Sequence, residues 1–219
     1  MGWFSSPKND GFTICGASNF KGNLMARNAS VSRKTKETKI DIHLDLDGTG
    51  QADISTGIPF FDHMLTAFTV HGYFDLSVKA VGDLEVDFHH TVEDTGLVLG
   101  QAFFDALGEK KGIQRFGDAC VPMDEALTRV SVDLSNRPYL VYHIPDDLKS
   151  GGPFDIHLAR EFFQAFSVKG ALNLHINAAY GVNEHHVLES IFKAMGRALS
   201  AATRPNERIS GTLSSKGSL

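Results

Sequence analysis

Between Lys39 and Leu46 polar and apolar residues alternate without a break, Lys-Ile-Asp-Ile-His-Leu-Asp-Leu, and Asp47-Gly48-Thr49-Gly50 follows. A period of two belongs to a strand with one buried face, and the glycine-rich stretch predicts a hairpin turn into a short strand at Ala52–Ser55. Pro59 suits the first turn of a helix. Met64, Leu65, Phe68 and His71 continue one face of it, and Gly72 is the expected stop. Strands are expected at Tyr73–Val81 and Leu84–Phe88. From about His89 to Leu107 the pattern becomes helical, with Val92, Leu97, Val98, Ala102 and Phe103 available for the core.

The same order returns in the second half of the chain. Ala126–Leu134 alternates as a strand, Ser135-Asn136-Arg137-Pro138 turns it, and Tyr139–Ile144 returns. A helix is expected from about Phe154 to Val168, ending at Gly170, then a strand at Leu172–Ile176 and a helix to about Ala202. Phe68 falls opposite Phe166, Leu76 opposite Leu174, His63 opposite Glu161 and Glu37 opposite Glu125, with offsets that change only across loops. That is the mark of an internal duplication. The expected fold is therefore α+β, two half-domains at 30–122 and 123–208, each of strands, helix, strand and helix, with sheets packed against helices. Residues 1–29 read as a flexible N-terminal extension, and Met25 opens a segment that looks like a second start. The Ser/Gly-rich tail, 209–219, has the composition of a disordered segment.

Two His-His-x-x-Glu runs dominate the chemistry, His89-His90-Thr91-Val92-Glu93 and His185-His186-Val187-Leu188-Glu189. Residues four apart share a helix face, so His89 with Glu93, and His185 with Glu189, can each grip a cation. The neighbouring His90 and His186 diverge and can serve a second ion. Doubled histidines also occur as surface residues or helix caps, but two such runs in one chain weigh against that. The repeat adds His63 and Glu161, and prefers Glu161 to His157, a chemically attractive neighbour one turn earlier. The suggested groups are His89, Glu93, Glu161 and His186 for one ion, and His63, His90, His185 and Glu189 for the other, with neighbouring chains as a source of ligands. Imidazole and carboxylate without thiolate fit manganese, iron or zinc, and four protein ligands with open positions fit manganese best. Asp87 and Asp94 are candidate acceptors for imidazole N–H groups, with helix capping an equal account of Asp87. Asp41, His43, Asp45 and Asp47 read better as a solvated strand face than as ligands.

Composition narrows the partners. A net charge of −5 and the lack of an Arg/Lys stripe with interleaved aromatics exclude a nucleic-acid footprint. Two cysteines, Cys15 and Cys120, form neither a zinc pattern nor a disulfide framework, which favours a reducing, cytoplasmic setting. No apolar run reaches the roughly 18 residues of a membrane span.

Six ordered motifs carry a resemblance to one family. They are Lys34-Thr35-Lys36-Glu37-Thr38, Gly57-Ile58-Pro59-Phe60-Phe61-Asp62-His63-Met64-Leu65, His89-His90-Thr91-Val92-Glu93-Asp94-Thr95, Lys111-Gly112-Ile113-Gln114-Arg115-Phe116-Gly117, Asp124-Glu125-Ala126 and Ser214-Ser215-Lys216-Gly217. From about Met25 onward the chain resembles the imidazoleglycerol-phosphate dehydratases of histidine biosynthesis. The resemblance implies two βββαα-type repeats in a ribosomal S5 domain 2-like fold. It also implies two Mn2+ per active site, sites between subunits, and a homo-oligomer of 24 subunits. The implied reaction converts imidazole glycerol phosphate to imidazole acetol phosphate and water through a dimetal-stabilised imidazolate and diazafulvene. Arg115, Arg137, Lys193, Ser215 and Lys216 match phosphate-binding positions, and the tail is expected to become ordered there. Glu37 matches a position next to the substrate and is the candidate general acid/base, with His71, Asp124 and Glu189 as helpers. Ala67 stands where many relatives carry Gln, Leu213 where they carry Pro, and Glu161 where some carry His. A two-metal phosphate-ester hydrolase is the alternative enzyme, since paired metals with Arg and Lys serve that chemistry too. A metal-storage oligomer would leave the Arg and Lys residues without a common purpose.

Overall fold

The computed structural model describes residues 11–15, 26–148, 151–152 and 154–218. Its elements run β1 (Phe12–Cys15), β2 (Asn28–Lys34), β3 (Thr38–Asp45), β4 (Ala52–Ser55), α1 (Pro59–Gly72), β5 (Asp75–Gly82), α2 (His89–Leu107), β6 (Phe116–Met123), β7 (Ala126–Asp133), β8 (Tyr139–His143), α3 (Ile156–Gly170), β9 (Asn173–Tyr180) and α4 (Glu184–Thr203). Two sheets form, in the orders β1-β2-β3-β5-β4 and β6-β7-β9-β8. The duplicated α+β architecture read from the pattern is the one found, including the strand expected between the two helices of each half, so that each half runs βββαβα. The register repeats as well: Leu44 pairs with Leu76 in the first sheet, and Val132 with Leu174 in the second.

The β3 alternation does what it should. Ile40, Ile42 and Leu44 enter the core, while His43 is exposed with Nδ1 2.8 Å from the Ser30 hydroxyl. Asp41 accepts from the Ser32 hydroxyl, so this is a solvated strand face.

Each sheet is covered by its own two helices, and the helix pairs meet across the middle, α1 on α4 and α2 on α3. Glycines permit the approach. A Cβ on Gly100 would stand 2.7 Å from the Phe166 carbonyl oxygen and 3.0 Å from the Gly170 nitrogen. On Gly196 it would stand 2.3 Å from the Phe68 carbonyl oxygen and 3.0 Å from the Gly72 nitrogen. Because Phe68 and Phe166 are counterparts, these are two copies of one contact. Gly196→Ala is therefore expected to push α1 from α4 at a cost of about 1–3 kcal/mol, more than the roughly 1 kcal/mol that alanine gains in helix propensity. A denaturant midpoint at or above that of the parent would contradict this packing argument.

Several local expectations give way to specific contacts. The hairpins expected after β3 and β7 do not form: β4 lies parallel to β5 and β8 parallel to β9. Asp75 explains the first case, since its Oδ1 accepts the N–H groups of Thr49, Gly50 and Gln51 at 2.7, 3.1 and 2.9 Å and ties the loop to the start of β5. Residues 84–88 form a turn, closed by Val86 N–H to the Asp83 carbonyl at 2.8 Å, because β3 and β4 already occupy both edges of β5. Gly72 is the last helical residue instead of the stop. Tyr73 takes the left-handed cap at φ 58, as Ala171 does after α3 at φ 50, leaving the glycines to the helix contact. The second half begins before 123, since β6 pairs with β7; Gly117 and Pro122 disguise this strand, and an edge position tolerates both. The expected flexible leader contains β1, antiparallel to β2. Its residues 1–10 and 16–25, Met25 included, lie outside the described residues. The tail does not read as free: Arg115 holds the Leu213 carbonyl, and Gly112 N–H donates to Gly211 at 2.9 Å. Among the described residues no helix is long and apolar enough to cross a membrane.

Candidate active site

The N-terminus of α4 carries the second histidine pair. Asn183 caps it, its Oδ1 accepting the His185 N–H at 2.9 Å, and the helix then places Glu189 one turn beyond. His185 Nε2 lies 3.1 Å from Glu189 Oε2, and His63 of α1 brings its Nε2 to 3.4 Å from the same oxygen. Phe60 packs edge-on against the His185 ring at 5.2 Å. The ligand atoms of His63, His185 and Glu189 all lie within 4.8 Å of one another, and among the described residues this is the only such group of three. The α1–α4 contact that glycine allows is what joins a histidine of one half to a His/Glu face of the other.

Glu189 is nearly buried, while both histidines are half-exposed. Burial raises the Glu189 pKa, but the Lys193 ammonium, 2.6 Å from Oε1, and His63 outweigh it and leave the carboxyl below its usual range. An ionised carboxylate with two imidazoles and no thiolate suits a divalent ion of intermediate hardness. The donor set therefore fits the implied metal.

The first half holds the counterpart less tightly. His89 Nε2 is 3.5 Å from Glu93 Oε2, and Asp87 accepts the His89 N–H at 2.7 Å, so Asp87 is a cap. Glu161, counterpart of His63, pairs with Arg160 at 3.4 Å, and His157 is exposed at the start of α3. Asp94 is not an acceptor for imidazole: it is buried and engaged by Arg33 and the Thr38 hydroxyl.

His90 and His186 are oriented by carboxylates that the sequence reading left out of the site. Asp83 Oδ2 lies 3.0 Å from His90 Nδ1, and Glu125 Oε2 lies 2.6 Å from His186 Nδ1. Both imidazoles have raised pKa values, chiefly from these hydrogen bonds. The His186 bond and the amides of Asn183 and Val182 pull Glu125 down to about 2. In each case Nε2 is left as the ligand atom. The repeat contained the signal, since Glu125 is the counterpart of Glu37. In the first half Asp83 has taken that place, leaving Glu37 3.9 Å from His90 and more than half exposed. Asp124, left-handed at φ 47 in the β6–β7 turn, stands 3.6 Å from His186 Nε2.

Beyond Lys193 lies a 340 Å³ cavity lined by His71, Arg197 and Arg204 among others. Burial lowers the His71 pKa, Lys193 and Arg197 lower it further, and Glu189 opposes them. Arg197 was not singled out, although it lies one turn past Lys193 on α4.

Arg115, Arg137 and the tail form a separate group. The Arg115 guanidinium forks onto Asp133 at 2.7 and 3.1 Å, donates to the Leu213 carbonyl at 2.6 Å and stacks on Phe116. Arg137 stands 3.6 Å from Asp133 and is exposed. Arg115, Arg208, Ser214 and Ser215 line a 490 Å³ cavity, with Lys216 exposed beside it. Lys193 points elsewhere, toward Met123 Sδ at 3.6 Å. Arg115 N–H meets Ala202, about 13 Å further along α4 than Lys193 at 1.5 Å rise per residue.

Comparison with known proteins agrees with this geometry. The family model described as imidazoleglycerol-phosphate dehydratase matches residues 56–199. The imidazoleglycerol-phosphate dehydratase of Desulfosudis oleivorans is 55% identical over 193 residues, covering 88% of this chain and 99% of the relative. That of Geobacter sulfurreducens is 54% identical over 195 residues, covering 89% and 100%. The crystal structure of the Staphylococcus aureus enzyme superposes with a TM-score of 0.73 at 38% identity, over 82% of this chain and 99% of that one. The Pyrococcus furiosus structure, in complex with (S)-C348, gives 0.74 at 37% identity, over 86% and 99%. A fold, a His/Glu centre and relatives that match over nearly their whole length converge: the chain belongs to the imidazoleglycerol-phosphate dehydratase family.

Proposed function

We propose that this chain removes water from imidazole glycerol phosphate to give imidazole acetol phosphate, a step of L-histidine biosynthesis in the cytoplasm. The site would hold two divalent ions, Mn2+ first among them, and lie between copies of the chain in a 24-subunit assembly. The observation that carries the reading is the His63–His185–Glu189 cluster with Lys193 hydrogen-bonded to it. The His89–Glu93 pair repeats the His185–Glu189 face and supports a second ion, for which Glu161 would be a further ligand, and His90 and His186 would complete the two sets from neighbouring copies. Sharing between copies also suits the phosphate side, where Lys193 turns toward Glu189 and Met123 while Arg115 turns toward Asp133 and the tail.

The C–H bond to be broken has no carbonyl beside it, so the elimination must draw on the imidazole ring. Bound divalent ions would supply Lewis acidity toward the ring nitrogens. Loss of the ring N–H proton gives an imidazolate, whose electrons expel the hydroxyl as a diazafulvene forms. Loss of the C–H proton then gives the enol, and the enol becomes the ketone. Glu37, exposed and only loosely held by His90, would move protons at the substrate carbons. His71, whose pKa is lowered by burial, Lys193 and Arg197, would take part in proton transfer, and Asp124 would assist beside His186. Glu189, already held by two histidines and Lys193, suits the ligand role better than that of a base.

Incubating the chelator-stripped protein with imidazole glycerol phosphate, with and without Mn2+, tests this. Ketone should appear only with the metal and without free phosphate. Phosphate release with no ketone would establish the hydrolase alternative instead.

A further inference from the structure

One buried charge lies outside the chemistry described so far. Lys110 is only 4% exposed, yet among the described residues its ammonium is not in a carboxylate pair: Nζ donates to Asn136 Oδ1 at 2.7 Å and lies 5.0 Å from the centre of the Phe104 ring. Burying the Lys110 ammonium costs free energy that one neutral acceptor offsets only in part, a cost an apolar side chain there would not carry. Burial pushes its pKa down to about 8, with Asp133 opposing, so the charge persists at neutral pH.

What surrounds it is the phosphate-side group. Asn136 belongs to the β7–β8 turn and immediately precedes Arg137, and Asp133, at the end of β7, holds Arg115 and stands beside Arg137. The backbone shows a matching concentration of strain. Lys110, Arg115 and Asn136 are all left-handed without being glycine, at φ 54, 67 and 58. Among the described residues the other left-handed non-glycines are the helix caps Tyr73 and Ala171, and Asp124 beside His186. Strained non-glycine residues persist only where the surroundings over-determine them. Here the Lys110 hydrogen bond supplies that constraint from beneath the turn.

We propose that Lys110 is a positioning residue for the phosphate-binding arginines, holding Asn136 so that the turn presents Arg137 beside the Asp133-fixed Arg115. This rests on the reading of Arg115 and Arg137 as phosphate ligands. Lys110 touches no substrate; it sets the spacing of a two-arginine clamp whose fork geometry demands accurate placement.

The test uses the full-length, Mn2+-loaded protein. Lys110→Met keeps the apolar stem and removes the ammonium, and Asn136→Gly keeps the left-handed turn and removes the acceptor. Each is expected to raise KM for imidazole glycerol phosphate about tenfold, and to raise the inhibition constant of inorganic phosphate in parallel. Metal content should be unchanged and kcat within about threefold. The double variant should be no worse than either single one, because both remove one link. A stable, metal-loaded Lys110→Met with KM within twofold of the parent overturns the proposal, as does full additivity in the double variant. If Lys110→Met does not fold, Asn136→Gly decides by the same KM criterion. Arg137→Ala separates the two layers of inference. Unchanged KM there removes the phosphate assignment itself, whereas a raised KM there with none in Lys110→Met overturns only the positioning role.

Discussion

The His186→Ala variant should lose bound metal and more than about 100-fold in turnover, with little change in its urea midpoint. His186 is about a quarter exposed and fills no core position, so in the proposed site its removal would take away a ligand and little packing. Glu125 gives the scale for comparison. It would reach an ion only through the His186 ring, and loss of such an outer partner typically costs about 10- to 100-fold in metal affinity or activity. Glu125→Ala should therefore fall between the parent and His186→Ala. Elemental analysis after gel filtration measures this directly. A full metal complement in His186→Ala would remove His186 from the ligand set.

The second large effect is expected from deleting residues 214–219. The cut leaves Leu213, so the carbonyl that receives Arg115 is retained and the fold should not suffer. What is lost is Ser214 and Ser215 on the wall of the 490 Å³ cavity, and Lys216 beside it. KM should rise at least tenfold, about 1.4 kcal/mol of binding, with metal content intact. Unchanged KM and kcat would show that the tail takes no part in phosphate binding.

The elements most legible in the sequence were those whose side chains alone decide their state. The β3 alternation and the two long amphipathic helices carried their own evidence, and the repeat turned them into a duplicated fold. Illegible were the features decided by partners distant in the chain. Nothing local to Thr49–Gln51 reveals that Asp75 will collect its amides, and so the crossover from β3 to β4 passed for a hairpin. Gly72 looked like a helix stop because a stop is glycine's commonest local use; its actual use is contact with α4. The site divided in the same way. His63, His185 and Glu189 followed from helix spacing and the repeat, whereas Asp83 and Glu125 reach their histidines from other elements. Glu125 could have been found, since the repeat set it opposite Glu37.

The central claim is a pair of ions bound by the two halves of a duplicated fold. Metal content of the Mn2+-reconstituted protein, freed of excess ion and measured per chain, tests it most directly. Two ions per chain are expected in the parent, falling when either His89 and Glu93 or His185 and Glu189 are replaced. One ion per chain, or two that survive replacement of His89 and Glu93, would contradict it.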